Sequence, residues 1–95
     1  MQFEWDDDKA AVNATKHGVT FQEASTVFGD PLAVTFGDPR HSDAEPRFLT
    51  IGMSESGRVL IVSHTDRGEA TRIISARVTT KAERKGYEDG DYPRA

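Results

Sequence analysis

The chain begins with a short alternation of apolar and polar residues, Phe3 Glu4 Trp5, which predicts a strand, and at Asp6 the pattern becomes helical. Asp6, Asp7 and Asp8 suit the positive end of a helix dipole, with Asp6 as the cap. The helix is expected to run through Lys9 to His17 and to stop at Gly18, which tolerates the left-handed conformation that ends helices. Thr20 and Glu23 have capping-box spacing, and Phe21, Ala24, Val27 and Phe28 recur at helical intervals, so a second helix should present those four to a core. Asp30-Pro31 ends it, because proline disfavours helical geometry in the residue before it.

Leu32 to Phe36 reads as a strand, and residues 37–46 are too polar and proline-broken to be other than a loop. Arg47 to Met53, Arg58 to Thr65 and Ala70 to Val78 are strand-like runs with short glycine-bearing connections, the pattern of an antiparallel meander. Thr80 and Glu83 repeat the capping-box spacing and open a last helix through Tyr87, in which Gly86 costs about 1 kcal/mol relative to alanine. From Glu88 the acidic, breaker-rich tail is expected to fray. The order predicts an α+β fold: two N-terminal helices packed on a mostly antiparallel sheet, then a short C-terminal helix, all in one domain over residues 1–87. The second sheet face is left partly open, where an antiparallel sheet can carry a site.

Composition narrows the chemistry. At 95 residues there is room for one core, and no apolar run reaches bilayer-spanning length. The start has neither a basic leader nor an apolar signal core, so a cytoplasmic location is the expectation. The absence of cysteine excludes disulfides, thiolate nucleophiles, zinc fingers and iron–sulfur clusters, leaving His, Lys, Arg, Tyr and carboxylates. The net charge of −4 is unevenly placed: residues 1–30 carry six acids against Lys9 and Lys16, whereas residues 67–85 carry six bases against Glu69 and Glu83. A concentrated cationic region on an acidic protein favours local contact with a polyanion or an acidic partner.

Within that region Arg72 and Arg77 flank Ile73 Ile74 Ser75 Ala76. Strict strand alternation puts Arg77 with Ile73 and Ser75 on one face and Arg72 with Ile74 and Ala76 on the other, a layout able to hold phosphate or to form salt bridges. On the first helix Lys9, Asn13, Lys16 and His17 make a polar, cationic stripe, readable either as its solvent side or as part of a site. Asp38, His41, Asp43 and Glu45 offer metal donors, but their spacing fits no known ligand set, and no metal or other cofactor is expected. His64 aligns with Leu60 and Val62 as a sheet-face histidine, and Trp5 beside Phe3 reads as core.

Several blocks in one order resemble the BrnT family of type II toxins: Phe3 Glu4 Trp5 Asp6, Lys9, Asn13, Lys16 His17 Gly18 Val19, Phe21, Ala24, Val27 Phe28, Asp30 Pro31, Glu45 with Arg47, Ile51 Gly52, Arg72 to Arg77, and Glu83 Arg84 with Tyr87. The resemblance spans nearly the whole chain. It implies a fold of the RelE and ParE kind and a ribonuclease that arrests growth, neutralised by a cognate BrnA antitoxin that represses the shared operon, so operator DNA is met only through the antitoxin. Val78 and Ala82, where the family commonly has a basic residue, and Gly86 depart from its pattern and imply weaker RNA affinity.

A ribonuclease without thiols or an evident metal site needs a base, a cationic clamp and an acid around a self-attacking 2′-hydroxyl. Lys16 or His17 is then expected to transfer protons and Arg77 to clamp phosphate. Lys9, Arg47, Arg72, Lys81, Arg84 and Tyr87 are expected to bind RNA, with Glu45 and Glu83 orienting the bases. Two alternatives stay open: a toxin that binds a protein target such as a topoisomerase, and an inactive member retained for antitoxin binding and operon control.

Overall fold

The computed structural model describes residues 1–41 and 45–92. In chain order it contains β1 (Gln2–Glu4), α1 (Asp7–His17), α2 (Phe21–Thr26), β2 (Val34–Gly37), β3 (Phe48–Met53), β4 (Val59–Arg67), β5 (Ala70–Val78) and α3 (Lys81–Asp89). Single 3₁₀ turns occupy Val27–Gly29 and Pro39–His41. The caps follow the predicted chemistry. Asp6 accepts from the Lys9 backbone N–H, and Gly18 closes α1 at φ 67°. Thr20 and Thr80 each accept from the N–H of the glutamate three residues on. Only α3 completes the reciprocal box, with Glu83 returning to the Thr80 N–H at 2.8 Å.

The five strands lie in the order β1-β5-β4-β3-β2. β2 to β5 form the expected antiparallel run, but β1 pairs parallel with β5, so the sheet is mixed. A parallel neighbour needs a long crossover, and α1 through β4 supply it.

Both sheet faces are covered by helix, unequally. On one face Leu60, Val62, Ile73 and Ala76 pack with Val19, Phe21, Ala24 and Val27, and Phe3, Trp5, Ala10 and Phe28 close the edge of this core. On the other, Val34, Ile51, Val59 and Ile61 pack on Tyr87 of α3, with Leu49 and Tyr92 alongside. Glu88 and Asp89, expected in a frayed tail, form the last turn of α3, which Gly90 caps. Tyr92 then folds back. Its hydroxyl donates to the Glu83 carbonyl at 3.2 Å, and its ring lies 3.0 Å from where a Gly86 Cβ would stand. The glycine that weakens the helix intrinsically is the seat for that ring.

β5 does not alternate strictly. Ser63 of β4 faces Ser75, but the next residue, His64, faces Ile73, so Ile74 is an extra residue in a β-bulge. The bulge inverts the parity on either side of it. Ile73 and Ala76 both enter the helix-side core, and Arg72 and Arg77 consequently share the opposite face. This overturns the expectation of one arginine per face.

His64 is buried on the helix side as expected, its Nε2 2.7 Å from Thr50 Oγ1, which in turn lies 2.7 Å from Thr35 Oγ1. Among the described residues its Nδ1 has no partner, and burial pushes its pKa down, holding the ring neutral.

Candidate functional site

The polar stripe on α1 divides: Lys9 and Lys16 face solvent, His17 is half-buried, and Asn13 is turned inward. Asn13 is buried: its Nδ2 donates to the carbonyls of Ala76 (2.8 Å) and Val19 (2.9 Å), and its Oδ1 accepts from the Ala76 N–H (3.1 Å). β1 reaches only as far as Arg72 along β5, so beyond that point an amide side chain replaces a strand and satisfies the exposed backbone edge. This clamp fixes α1 against the bulge and sets His17, one turn further on, beside Ile74 and Ser75.

On the α3 side of the sheet His17 meets the other half of the site. A cleft of about 540 Å³ is lined by His17, Ser75 and Arg77 together with Arg40, Arg47 and Asp38, over a floor that includes Leu49, Ile61 and Ser63. Asp38 and Arg47 are held where β2 meets β3, with the Asp38 N–H donating to the Arg47 carbonyl at 2.8 Å, and Asp38 Oδ1 accepts from the Arg40 N–H at 3.2 Å. Three guanidinium groups against one aspartate give the cleft an excess of positive charge.

Arg77 is anchored by a bidentate pair. Its Nη1 and Nη2 donate to the two carboxylate oxygens of Glu83 at 2.8 and 2.9 Å, and Nη1 also donates to the Val78 carbonyl at 3.2 Å. The paired guanidinium holds the Glu83 carboxyl down to about 2, and the carboxylate raises the Arg77 pKa, so both stay charged at neutral pH. Among the described residues Nε and the second Nη2 hydrogen have no partner. One edge of the fork is anchored, and the other remains available to a tetrahedral oxyanion.

The remaining sequence candidates divide. Lys9 and Lys16 are exposed and line a groove of about 320 Å³ between α1 and the bulge, which shares His17, Ile74 and Ser75 with the cleft. Arg72 shares the cleft's face but donates to Glu4 at 2.8 Å and does not line it. Lys81 is exposed on the first turn of α3, and Arg84 pairs with Glu88 at 3.4 Å. Tyr87, expected to meet RNA, is 6% exposed, and its hydroxyl donates to Asp30, because its ring belongs to the core beneath α3. Glu45 meets Arg67 at 3.4 Å and not an arginine of the cleft.

Of the loop donors, Asp43 lies outside the described residues, and among the described residues no three His, Asp or Glu side chains cluster as a metal site would require. Arg40 and Ser75 line the cleft although the sequence reading assigns neither a role there, and Asp38, considered only as a metal donor, lines it as well. Pairing of Gly37 with Phe48 brings the two ends of the loop together, so the Arg40–Arg47 juxtaposition is a hairpin consequence.

With this geometry in place, comparison with known families is decisive. Residues 5–83 match the family model for the ribonuclease toxin BrnT of type II toxin–antitoxin systems. The chain belongs to this family. Among solved structures it is similar to the crystal structure of the Brucella abortus ribonuclease toxin BrnT, at a TM-score of 0.63 and 25% identity over 85% of this chain and 99% of that one. A comparison with curated proteins found no match. The BrnT match includes α1, the bulged strand and the first turn of α3, and so contains His17, Arg47, Arg77 and Glu83.

Proposed function

We propose that this chain is an endoribonuclease toxin that cleaves RNA in the cleft between His17 and Arg77 without a metal ion. The supporting observation is the convergence of an imidazole from α1 with Arg40, Arg47 and Arg77 from the sheet side in one cavity. The open Nε edge of Arg77 takes a non-bridging oxygen of the scissile phosphate, with Arg47 and Arg40 sharing its charge. The ribose 2′-hydroxyl attacks phosphorus, its proton passes to a base, and the P–O5′ bond breaks as the leaving oxygen is protonated. The products are a 2′,3′-cyclic phosphate and a 5′-hydroxyl. Imidazole can serve at either proton transfer near neutral pH, and His17 is preferred over Lys16 because it alone of the two lines the cleft. Glu83 orients Arg77.

The same reading gives the chain a BrnA-like antitoxin that covers the cationic cleft, contact with operator DNA only through that antitoxin, a cytoplasmic site of action and a fold of the RelE and ParE kind. No helix among the described residues is long and apolar enough to cross a membrane.

Incubating purified protein with RNA in chelator tests the proposal. Cleavage leaving a 2′,3′-cyclic phosphate, strongly reduced in His17→Ala and Arg77→Ala, is expected. Intact RNA alongside persistent growth arrest on expression would replace this reading with a toxin that binds a protein, and neither cleavage nor arrest would point to an inactive antitoxin-binding member.

A further inference from the structure

The groove between α1 and the bulge has a character different from the cleft it adjoins. Its wall is mainly apolar, with Val12 (63% exposed) on the α1 side and Ile74, the bulged residue, on the other. Its rim is charged: Lys9 and Lys16 stand on α1, with Asp8 at the start of the helix. Among the described residues none of these three makes an ion pair or a side-chain hydrogen bond to another side chain. Groove and cleft meet at His17, Ile74 and Ser75, so a strand leaving the phosphate position at Arg77 enters the groove directly.

We propose that this groove is a base-binding subsite of the RNA cleft. It receives the base of the nucleotide flanking the phosphate at Arg77, packed between Val12 and Ile74, while Lys16 and Lys9 neutralise the next phosphate. A base has two apolar faces and a polar edge, and it matches a slot with aliphatic walls and a charged rim better than a phosphate does. Asp8 repels phosphate and offers an acceptor to amino groups on the base edge, as carboxylates do toward cytosine N4. Lys16 is then a substrate-holding residue, and Ile74 reaches the slot because the bulge turns it out of the strict alternation. The inference rests on RNA being the ligand of the cleft.

A labelled 2′-O-methyl-adenosine pentanucleotide, which cannot be cleaved, separates the subsite from the chemistry. Fluorescence anisotropy is measured on the full-length protein with the intact pentamer and with five versions each lacking one base. One abasic position is expected to weaken wild-type binding by about tenfold. Val12→Asp, at an exposed site that folding tolerates, should weaken the intact pentamer by a similar factor and abolish sensitivity to that position. Lys16→Ala should weaken every version by a few-fold and reduce the salt slope by about one.

Equal binding of all five abasic versions, or wild-type affinity in Val12→Asp, overturns the subsite. Wild-type RNA affinity combined with lost antitoxin binding in Val12→Asp overturns it in favour of a protein-docking groove. Cleavage of the 2′-hydroxyl pentamer is scored separately: its absence with the abasic pattern intact ends the nuclease reading and leaves the subsite standing.

Discussion

Arg58 and Arg77 invite comparison, because each meets a glutamate that follows a threonine cap by three residues, at the start of α2 and α3 respectively. Both arginines are about two-fifths exposed, and both glutamates are held down to about 2 by the guanidinium beside them. The pairs differ in which edge of the fork is used. Arg58 gives Nε and Nη2 to Glu23 at 3.0 and 2.5 Å, and Nη2 also donates to the Gly18 carbonyl at 3.0 Å. Glu23 accepts in addition from the hydroxyls of Ser54 and Ser56. That pair ties the end of α1, the start of α2 and the β3–β4 turn into one buttress. Arg77, which lines the cleft, gives Glu83 its terminal edge and leaves Nε out of the pair. Identical residue chemistry thus yields a brace in one place and, on the proposed reading, an anion clamp in the other.

The largest expected effect tests that contrast directly. Arg77→Ala should lower kcat/KM for RNA by about 10² to 10³ per folded molecule, in the range for losing one oxyanion donor, alongside a stability loss similar to that of Arg58→Ala. Arg58→Ala should keep cleavage per folded molecule and lose about 1 kcal/mol of stability, kept small by the exposure of the pair. Activity and thermal melts on the two variants decide it, and a dead but fully stable Arg58→Ala would break the comparison.

Removing the carboxylates sharpens it. Glu83→Gln frees Arg77 from its anchor and should cost about tenfold in kcat/KM, because a misplaced clamp loses orientation while keeping its charge. Glu23→Gln should leave cleavage unchanged and lower the urea midpoint. Equal activity loss in both variants would mean that neither pair is merely a brace.

Acid treats the two pairs alike, and this separates charge pairing from function. Glu23 and Glu83 titrate lower in the folded chain than in the unfolded one, so their stabilisation is complete above their ordinary value of 4.5 and is lost as pH falls toward about 2. His64 acts earlier. Its folded pKa lies below the ordinary 6.5, so the unfolded chain takes up the proton first and stability falls as pH drops below 6.5. Urea midpoints measured from pH 8 to pH 3 should fall in two stages, with a slope of up to about 1.4 kcal/mol per pH unit in the first. His64→Gln should remove that first stage, and its persistence would assign the titration elsewhere.

The smallest expected change is at Val78, 44% exposed at the end of β5 and next to Arg77. Val78→Lys should raise RNA affinity by about two- to threefold at low salt, as one added surface cation does. An unchanged affinity would remove that position from the path of the RNA.

Much of the fold was legible because its determinants are local. Asp6, Gly18, Thr20 and Thr80 mark helix ends through short-range hydrogen bonds, and β5 spans Ala70 to Val78 as its run of strand formers predicts. The site was legible in part: His17, Arg47 and Arg77 do share a cleft. What escaped depends on partners distant in sequence. Nothing near Tyr87 announces that Asp30 will receive its hydroxyl, and nothing near Asn13 announces that Ala76 lies across from it. Thr20–Glu23 and Thr80–Glu83 have the same spacing, yet the first glutamate leaves its cap for Arg58, 35 residues away. The bulge is the most consequential omission, since one unpaired residue, Ile74, brought Arg72 and Arg77 onto the same face.

By itself the sequence determined the element order, the caps, the absence of thiol chemistry and a cationic segment after residue 67, all properties that neighbouring residues and composition impose. Tertiary structure decided which cations act together, because convergence depends on pairing across the sheet. The parallel seat of β1, the Asn13 clamp on β5 and the Ile74 bulge determine which side chains reach the cleft, and each arises only when segments far apart in the chain satisfy one another's backbone groups.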